Sequence, residues 1–274
     1  MSGPGRAPSD RSAGSSARLR RPALIVALLA VVLSACAGTT EEPAPDPAPA
    51  EAPEVAAEPE PEPAPAPEPE EPEEPFSLVA TATVPEVAAY ATPDASTEPT
   101  HVLAHPNPVG APRVFLVEQR TGDGWLEVLL PVRPNGTTGW IQEADVTLAR
   151  NPYRIAVDIE AFTLTVHRGN DLVVDTTIGY GTEDTPTPGG RYYLVELLEP
   201  PNPEGGYGPF AFGLSGFSEV LLSYSGGEGV IGIHGTNDPD SIGIPSSDGC
   251  IRVHNDVITE LASFLPLGTP VTID

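Results

Sequence analysis

The sequence predicts a mainly β protein whose C-terminal part is a β-sandwich with little helix. Three observations support this prediction. From residue 76 onward, apolar residues occur in short runs, several of them alternating with polar residues as in half-buried strands. Gly, Pro, Asn and Asp separate these runs, which is typical of the turns between antiparallel strands. A single stretch near the C-terminus has helical spacing.

Composition excludes several classes of protein. The formal net charge is -26 and all 13 basic residues are Arg, so no basic stripe is available to bind nucleic acid. Two Cys exclude a disulfide-rich scaffold or a multi-thiolate metal site, and the five scattered His lack zinc-site spacing. We therefore expect no metal, no cofactor and no nucleic-acid partner. Independently of the composition, we expect a monomer. The length of 274 residues favours two domains.

Residues 1–35 have the pattern of an export signal. Three Arg within 18–21 precede an unbroken apolar run over 23–33, which is short for a bilayer and fits a signal peptide. The run leads into Leu-Ser-Ala-Cys, which ends at Cys36 and resembles the lipobox of bacterial lipoproteins. The resemblance implies cleavage before Cys36, lipidation of that residue, and a lipid-anchored protein facing the peptidoglycan of the cell envelope (periplasmic in a diderm). An ordinary secretory signal is the alternative.

Residues 36–75 are predicted to be a lipidated Cys followed by a disordered stalk. The segment 41–75 consists of thirteen Pro, thirteen acidic residues, eight Ala and one Val, and this composition cannot bury a core. Proline favours an extended chain and like charges stretch it further, so the stalk reaches on the order of 100 Å. Half of the net negative charge therefore belongs to a spacer and indicates nothing about a substrate.

Residues 76–150 are predicted to form a small all-β domain. A turn-forming Gly-Asp-Gly at 122–124 lies between two apolar runs. The segment 87–93, together with Gly-Trp pairs at Trp125 and Trp140, resembles the SH3-like domains of bacterial cell-wall proteins. We expect both Trp to be core residues of a small SH3-like barrel, with a groove that binds wall peptides as the alternative.

Residues 151–274 are predicted to form the β-sandwich. Strands are expected at 153–159, 162–166, 192–198 and 230–233. Gly169-Asn170 separates two apolar runs and predicts a hairpin turn. The predicted helix covers about 256–265, because Asn255 is a good N-cap, apolar residues recur on one face, and Pro266 ends the pattern.

Two short stretches contain residues suited to catalysis: Ile-His-Gly-Thr at 233–236 and Ser-Asp-Gly-Cys-Ile-Arg at 247–252. A Cys needs thiolate character to act as a nucleophile, and a neighbouring His can provide it. Gly249, before the Cys, permits a tight turn that can aim backbone N–H groups at a developing oxyanion. A Cys–His pair alone is weak evidence, because a free Cys is more often a small buried hydrophobe.

Taken together, these stretches resemble the L,D-transpeptidase (YkuD) catalytic domain. The family pattern is His-Gly or His-Ser, a gap of about fifteen residues, and then Ser/Thr-x-Gly-Cys. Here fifteen residues separate His234 from Cys250. The resemblance extends over 152–273 and includes Thr-Pro-Thr-Pro-Gly-Gly at 185–190. Asp248 departs from the pattern, in which many members have a His or a basic residue, and an acid at this position disfavours the thiolate.

The resemblance implies a role for each site residue. Cys250 would be the nucleophile, and His234 would be the base that forms the thiolate–imidazolium pair, oriented by the backbone carbonyl of Gly235. Backbone N–H groups around Gly249 and Cys250 would form the oxyanion hole. The implied substrate is a peptidoglycan tetrapeptide stem. Cys250 attacks the carbonyl of its third residue, D-Ala leaves, and an amine of a second stem resolves the thioester, which joins two stems through their third residues.

Other residues near the pattern have two interpretations each. Ser247 either polarises the site or starts the turn. Arg252 is one of few Arg in an acidic domain, so we expect it to hold a stem carboxylate rather than form a surface ion pair. Asn255 is expected to cap the helix, and His254 to pack at the helix start. The irregular segment 200–208 is either a lid or a plain surface loop.

Several functions remain open from the sequence alone. The same acyl-enzyme chemistry serves to trim stems with water, or to attach or release a wall-linked protein. An NlpC-type wall peptidase, also a Cys–His enzyme, places Cys before His in the chain, whereas here His234 comes first. A non-enzymatic wall-binding lipoprotein is the last alternative, and the intact His234, Gly249, Cys250 and Arg252 argue against it.

Overall fold

The computed structural model describes residues 74–223 and 227–274, and the structural statements below concern those residues. The predicted signal peptide, Cys36 and nearly all of the predicted stalk lie outside the described residues and stay predictions. None of the helices found within 74–223 and 227–274 is long and apolar enough to cross a membrane.

Residues 77–151 form a small, mainly β part of the molecule with one short 3-10 helix, Glu143–Asp145. Its strands are β1 (Ser77–Ala82), β2 (Glu86–Ala89), β3 (His101–Ala104), β4 (Val114–Arg120), β5 (Trp125–Leu129), β6 (Thr138–Gln142) and β7 (Val146–Asn151). Five of them make an antiparallel sheet in the order β6-β5-β4-β1-β7, and β2 pairs with β3 in a separate hairpin. The predicted runs on either side of the turn at 122–124 are the strands β4 and β5. The SH3-like character of this part stays a prediction.

The expectation that both Trp lie in the core of this part is wrong. The buried cluster is built from aliphatic residues and one aromatic residue, Phe115. In β5, Leu126 and Val128 are fully buried, whereas Trp125 is half-buried because alternate side chains of a strand point to opposite faces. Trp125 packs edge-to-face on Tyr90 at 5.6 Å between ring centroids. Trp140 is also half-buried and pairs through its backbone with Tyr90.

The described residues of 153–273 form a larger sheet, a two-stranded sheet, one α-helix and a short 3-10 helix, Pro239–Ser241. The strands are β8 (Tyr153–Asp158), β9 (Thr163–Arg168), β10 (Asp171–Thr177), β11 (Tyr180–Gly181), β12 (Gly190–Leu198), β13 (Ala211–Phe217), β14 (Val230–His234), β15 (Pro245–Ser247), β16 (Ile251–Arg252) and β17 (Pro270–Ile273), and the helix is α1 (Asn255–Phe264). Eight strands form one sheet in the order β10-β9-β8-β17-β12-β13-β14-β16, and β11 and β15 form the two-stranded sheet. The four predicted strands and the hairpin turn, where Gly169 has φ +56°, are confirmed. Phe162 lies before its strand, at φ +56°.

The strand β12 joins the two halves of the eight-stranded sheet. Its residues 190–193 pair with β17, and 194–198 pair with β13, with an irregularity in the register between them. A strand that changes partner at a bulge lets a sheet turn a corner. Val174 of β10 and Ile251 of β16, from opposite edges of the sheet, belong to one buried cluster. The mainly β prediction is therefore confirmed, and the predicted sandwich is a single sheet curled around its own core.

The helix α1 packs on this core and positions the segment before it. Ile258 and Leu261 are fully buried, and Leu265 just beyond the helix is also buried. The observed bounds agree with the predicted helix to within one residue at each end. The N-cap position is occupied by His254, whose side chain makes no capping hydrogen bond.

The two sheets pack against each other through β12. Tyr193 is fully buried, and its hydroxyl lies 3.2 Å from the carbonyl oxygens of both Val114 and Leu129 in the first sheet. Burial raises the pKa of the Tyr193 hydroxyl, so it stays a hydrogen-bond donor. Asn151 donates to the hydroxyl of Thr269 at 2.9 Å in a second buried contact. These bonds fix the first sheet beside the strands that carry the site.

Candidate active site

His234 ends β14, at the edge of the sheet where the strand enters a cavity. Its side chain is buried, and Nδ1 donates a hydrogen bond to the carbonyl oxygen of Gly235 at 2.6 Å. Because a carbonyl oxygen only accepts, this bond places the proton of a neutral imidazole on Nδ1 and leaves Nε2 as an acceptor. The pKa of His234 is lowered to about 4: burial is the main cause, the Gly235 hydrogen bond opposes it, and the Arg252 charge makes a smaller contribution in the same direction as burial.

Asn255 supports the backbone that follows His234, and the expectation that it caps the helix is wrong. Its Oδ1 accepts the amide of Thr236 at 2.8 Å instead of binding an amide of α1. Asn255 is the first residue of the helix rather than its cap. A Cβ at Gly235 would collide with the Asn255 side chain. The position after His234 must therefore be a glycine for Asn255 to lie where it does.

Cys250 follows a tight turn that Ser247 closes. The Ser247 hydroxyl donates to the carbonyl oxygen of Cys250 at 2.5 Å and accepts the amide of Gly249 at 3.1 Å. Gly249 has φ +111°, in the region that favours glycine. The prediction that glycine permits this turn is confirmed, and of the two interpretations of Ser247 these bonds support turn formation.

Side chains of the segment 182–187 hydrogen-bond to the backbone of this turn. The Thr185 hydroxyl donates to the Ser247 carbonyl at 3.1 Å, and the Thr187 hydroxyl donates to the Gly249 carbonyl at 2.9 Å. Thr187 in turn accepts the amide of Gly181 at 2.9 Å. The two Thr of the Thr-Pro-Thr-Pro sequence therefore bind the turn that presents the thiol.

The Cys250 thiol is partly exposed and lies beside the backbone of β14. Burial, the strongest influence, raises its pKa; a hydrogen bond with the Gly232 backbone and the Arg252 charge lower the pKa, and Asp248 raises it. The predicted effect of Asp248 therefore has the expected direction and is the weakest of the four. Asp248 is exposed, so solvent screens its charge.

Arg252 lies opposite His234 on the neighbouring strand β16. Its backbone pairs with Gly179 through two hydrogen bonds, at 2.8 and 2.9 Å. Its Nε is buried and has no hydrogen-bond partner within 74–223 and 227–274. A ligand carboxylate would supply that partner, as the sequence interpretation expects.

His254 is exposed at the N-cap of α1 and is absent from the lining of the cavity that His234 and Cys250 share.

Tyr207 is a site residue that the sequence analysis missed. Its ring centroid lies 4.6 Å from that of the His234 imidazole, and its side chain lines the same cavity as Cys250. The segment 200–208 is therefore not a plain surface loop, because it covers the buried His. The one signal available was an aromatic residue between Gly206 and Gly208, and a Cβ at Gly208 would collide with Asn255 and the Gly235 backbone.

His234 and Cys250 face a cavity of about 120 Å³ and an adjoining one of about 420 Å³. Arg252, Ser247 and Asp248 line the smaller cavity. No group of three or more His, Cys, Asp or Glu within the described ranges is arranged to hold a metal ion. The arrangement has the elements of nucleophilic acyl transfer: a thiol, a neutral imidazole with a fixed tautomer, and a tight turn.

Comparison with known proteins identifies the family. The L,D-transpeptidase catalytic domain (YkuD) matches residues 152–273. "Putative L,D-transpeptidase YkuD" of Bacillus subtilis is 42% identical over 123 residues, which are 45% of this chain and 66% of that protein. "Putative L,D-transpeptidase YqjB" of the same species is 34% identical over 134 residues, 46% of this chain and 73% of that protein. The chain belongs to the L,D-transpeptidase family.

Two solved structures are similar to the chain over part of its length. Bd1075 of Bdellovibrio bacteriovorus is 34% identical with a TM-score of 0.36, covering 45% of this chain and 48% of that one. An L,D-transpeptidase mutant of Enterococcus faecium is 23% identical with a TM-score of 0.36, covering 45% and 50%. The chain thus spans 66% of the YkuD relative and about half of these two structures.

The L,D-transpeptidase match begins just before β8 and ends with β17. It therefore includes the whole eight-stranded sheet, the helix, and both His234 and Cys250. The five-stranded sheet over 77–151 lies outside the match.

Proposed function

We propose that the chain is a peptidoglycan L,D-transpeptidase in which Cys250 is the nucleophile and His234 the base. The observation that carries the proposal is the 2.6 Å bond from His234 Nδ1 to the Gly235 carbonyl, in a cavity that Cys250 shares. This bond leaves Nε2 to accept the thiol proton without a third acidic residue.

Both catalytic groups are uncharged in the resting site. Burial lowers the pKa of the imidazole to about 4 and raises that of the thiol, so at neutral pH the pair exists as thiol and neutral imidazole. This differs from the preformed thiolate–imidazolium pair that the sequence analysis expected. The proton moves from sulfur to Nε2 only as the thiol attacks, and Arg252 and the Gly232 backbone stabilise the thiolate at that moment.

The reaction balances around one proton on His234. Cys250 attacks the carbonyl of the third stem residue, its proton passes to His234, and D-Ala departs as an amine that takes this proton. An amine of a second stem then attacks the thioester and gives a proton to His234. The new amide forms, the C–S bond breaks, and the proton returns to the sulfur. The product joins two stems through their third residues.

The oxyanion is stabilised at the turn before the nucleophile. The Gly249 amide already donates to Ser247, so its role is to hold the turn in shape. We assign the donor role to the Cys250 amide, which follows the positive-φ residue in the same turn. Gly249 and Ser247 then act through geometry, and Arg252 holds a carboxylate of the stem.

The rest of the chain places the enzyme at the wall. Cleavage before Cys36 and its lipidation anchor the protein to a membrane, the stalk at 36–75 spans the distance to the peptidoglycan, and residues 76–150 form an SH3-like domain. The Leu-Ser-Ala-Cys sequence and the Pro-rich, acidic composition support this arrangement.

Intact-mass analysis of Cys250 tests the proposal. Incubation with a tetrapeptide stem is expected to add the tripeptide acyl group, and a carbapenem is expected to add its own mass. Cys250→Ala should abolish both adducts, while His254→Ala, which alters an exposed His near the site, should keep both. An adduct that persists in Cys250→Ala contradicts the proposal.

The fate of the acyl group separates the alternative functions. Cross-linked dimers of stems indicate transpeptidation, and free tripeptide alone indicates trimming by water. Release or capture of a wall-linked protein indicates anchoring. Binding to wall material with no adduct in any form indicates a non-enzymatic lipoprotein.

A further inference from the structure

A trough floored by two glycines leads away from the nucleophile. Glu196 on β12, Gly213 on β13 and Gly232 on β14 are paired in one row across neighbouring strands. Cys250, just before β16, lies beside Gly232 at the end of this row. All four residues line the cavity of about 420 Å³. Because strands lie about 4.8 Å apart, the backbone of Glu196 is roughly three spacings from that of Cys250.

The Glu196 side chain lies over this glycine floor. Its Cγ and Oε1 are 2.7 and 2.8 Å from the position that a Cβ at Gly213 would occupy. A side chain at Gly213 would therefore displace the carboxylate. Glu196 thus reaches across one strand, toward the end of the trough where Cys250 lies.

The buried side-chain amide of Asn107, in the connection between β3 and β4, fixes the orientation of this carboxylate. Asn107 donates from Nδ2 to Glu196 Oε2 at 2.9 Å. The Asn107 Oδ1 accepts the amide of Ala111 at 2.8 Å, which stops the side chain from turning away. With Oε2 bound to Asn107, Oε1 is available to accept a hydrogen bond from a ligand.

The lining of the trough combines two acidic side chains, Glu196 and Glu199, with largely apolar surface. The apolar surface includes Leu198, Pro200 and Phe212, and no Arg lines the trough within the described ranges. The nearby Arg113 lines a second cavity, which Glu196 and Asn107 also line, and its Nε donates to the Ala104 carbonyl at 3.0 Å.

The charge of Glu196 is partly preserved by its neighbours. Burial raises the pKa of Glu196, and the Asn107 hydrogen bond and the Arg113 charge lower it, which favours the carboxylate. A partly buried, oriented carboxylate that faces a cavity is a suitable partner for a cation.

We propose that Glu196 binds the protonated amine of the acceptor, with Asn107 as its positioning residue. This inference rests on the proposed function, because transfer from the Cys250 thioester consumes an amine, and a free amine is an ammonium ion at neutral pH. Binding at Glu196 holds the acceptor in the trough that ends at the thioester. The amine then leaves Glu196, loses its excess proton to solvent and moves along the trough to the thioester, where His234 accepts its second proton during attack.

Binding to a protein without the nucleophile tests this site independently of turnover. In Cys250→Ala protein, calorimetry would compare a stem peptide carrying a free side-chain amine on its third residue with the same peptide acetylated on that amine. Adding Glu196→Gln is expected to lower the affinity for the free-amine peptide about ten-fold or more. The affinity for the acetylated peptide should fall far less. Glu260→Gln, which removes an exposed carboxylate from α1, is the matched control and should change neither affinity.

Turnover supplies a second readout. In Glu196→Gln, KM for the cationic acceptor should rise far more than KM for hydroxylamine, which is largely uncharged at neutral pH. Glu196→Asp, which keeps the charge, should recover part of the loss. Equal affinities and equal KM values in wild type and Glu196→Gln would overturn the inference while leaving the transfer reaction intact. Glu196-dependent binding in a protein that never forms an acyl-enzyme would instead overturn the proposed function and leave the amine site.

Discussion

Arg252 and Asp248 flank Cys250, the proposed nucleophile, with opposite charges and unequal effects on its pKa. Arg252 is partly buried, with Nε enclosed, whereas Asp248 is exposed to solvent. A charge that is shielded from water acts more strongly on its neighbours than one that water surrounds. The Arg252 charge therefore lowers the pKa of Cys250 more than Asp248 raises it.

This difference predicts the pH dependence of Cys250 alkylation. Asp248→Asn removes a charge that raises the pKa of Cys250, so the curve of iodoacetamide reaction rate against pH should move to lower pH. Arg252→Gln removes a charge that lowers the pKa, so its curve should move to higher pH and by a larger amount. Asp171→Asn, on the strand at the opposite edge of the sheet, should match wild type. Identical curves for wild type and Asp248→Asn would show that solvent screens that carboxylate completely.

At the scale of elements, the connection between β5 and β6 holds the start of the β13–β14 connection. The Asn135 side chain makes two hydrogen bonds with the backbone of Phe217, at 2.8 and 2.9 Å. Arg133 donates to the carbonyl oxygens of Ser218 and Glu228, each at 2.8 Å, and its guanidinium lies 4.9 Å from the centre of the Phe217 ring. Since Ser218 lines the cavity that His234 and Cys250 share, the connection between β5 and β6 shapes one wall of the candidate site.

Arg133→Ala is therefore expected to loosen this wall without unfolding the protein. Hydrogen–deuterium exchange of a peptide covering 217–223 should become faster, because the Ser218 carbonyl oxygen loses its donor and the segment opens more often. Exchange in the buried strand β12 should not change. Arg150→Ala, which removes an Arg that lies over Phe76, is the control. Unchanged exchange over 217–223 would mean that Asn135 alone holds the segment.

Local patterns predicted elements and missed the contacts between them. Alternation placed the strands, a Gly-Asn pair placed the hairpin, and the helix matched to within one residue because each of these signals acts over a few neighbours. Asn255 was assigned to the helix cap by the same local rule, but its partner Thr236 is nineteen residues away. Asn135 and Phe217 are 82 residues apart, and nothing in either local sequence indicates the other.

The candidate site was predictable to the extent that it is continuous in sequence. His234, Gly249 and Cys250 lie in two short stretches with a recognisable spacing. Tyr207 and Glu196 come from segments that fold back onto these stretches, so only the tertiary structure brings them to the cavities. The two Trp were predicted to lie in the core because large aromatic residues usually do. The sequence does not show which face of the strand each Trp occupies, and this prediction was wrong.

At the scale of the whole molecule, the proposed attachment to a membrane depends on one residue, Cys36. Cys36→Ser removes the thiol that would be lipidated, so the protein should leave the membrane fraction or accumulate with its leader uncleaved. Immunoblotting of fractions from cells expressing each form, with Cys250→Ala as the control for loss of a thiol elsewhere, provides the measurement. Equal membrane retention and equal processing of the Cys36→Ser form would contradict a lipid anchor.

The hydroxyl of Tyr193 also limits how such a protein can evolve. Its two acceptors, Val114 and Leu129, belong to strands far earlier in the chain, and all three groups are buried. A recombination event near residue 151 that supplied a different leading domain would leave this hydroxyl without acceptors in an apolar interface, at a cost of about 1–3 kcal/mol. The two halves are thus expected to be inherited together, and a change of leading domain would have to be accompanied by a substitution such as Tyr193→Phe.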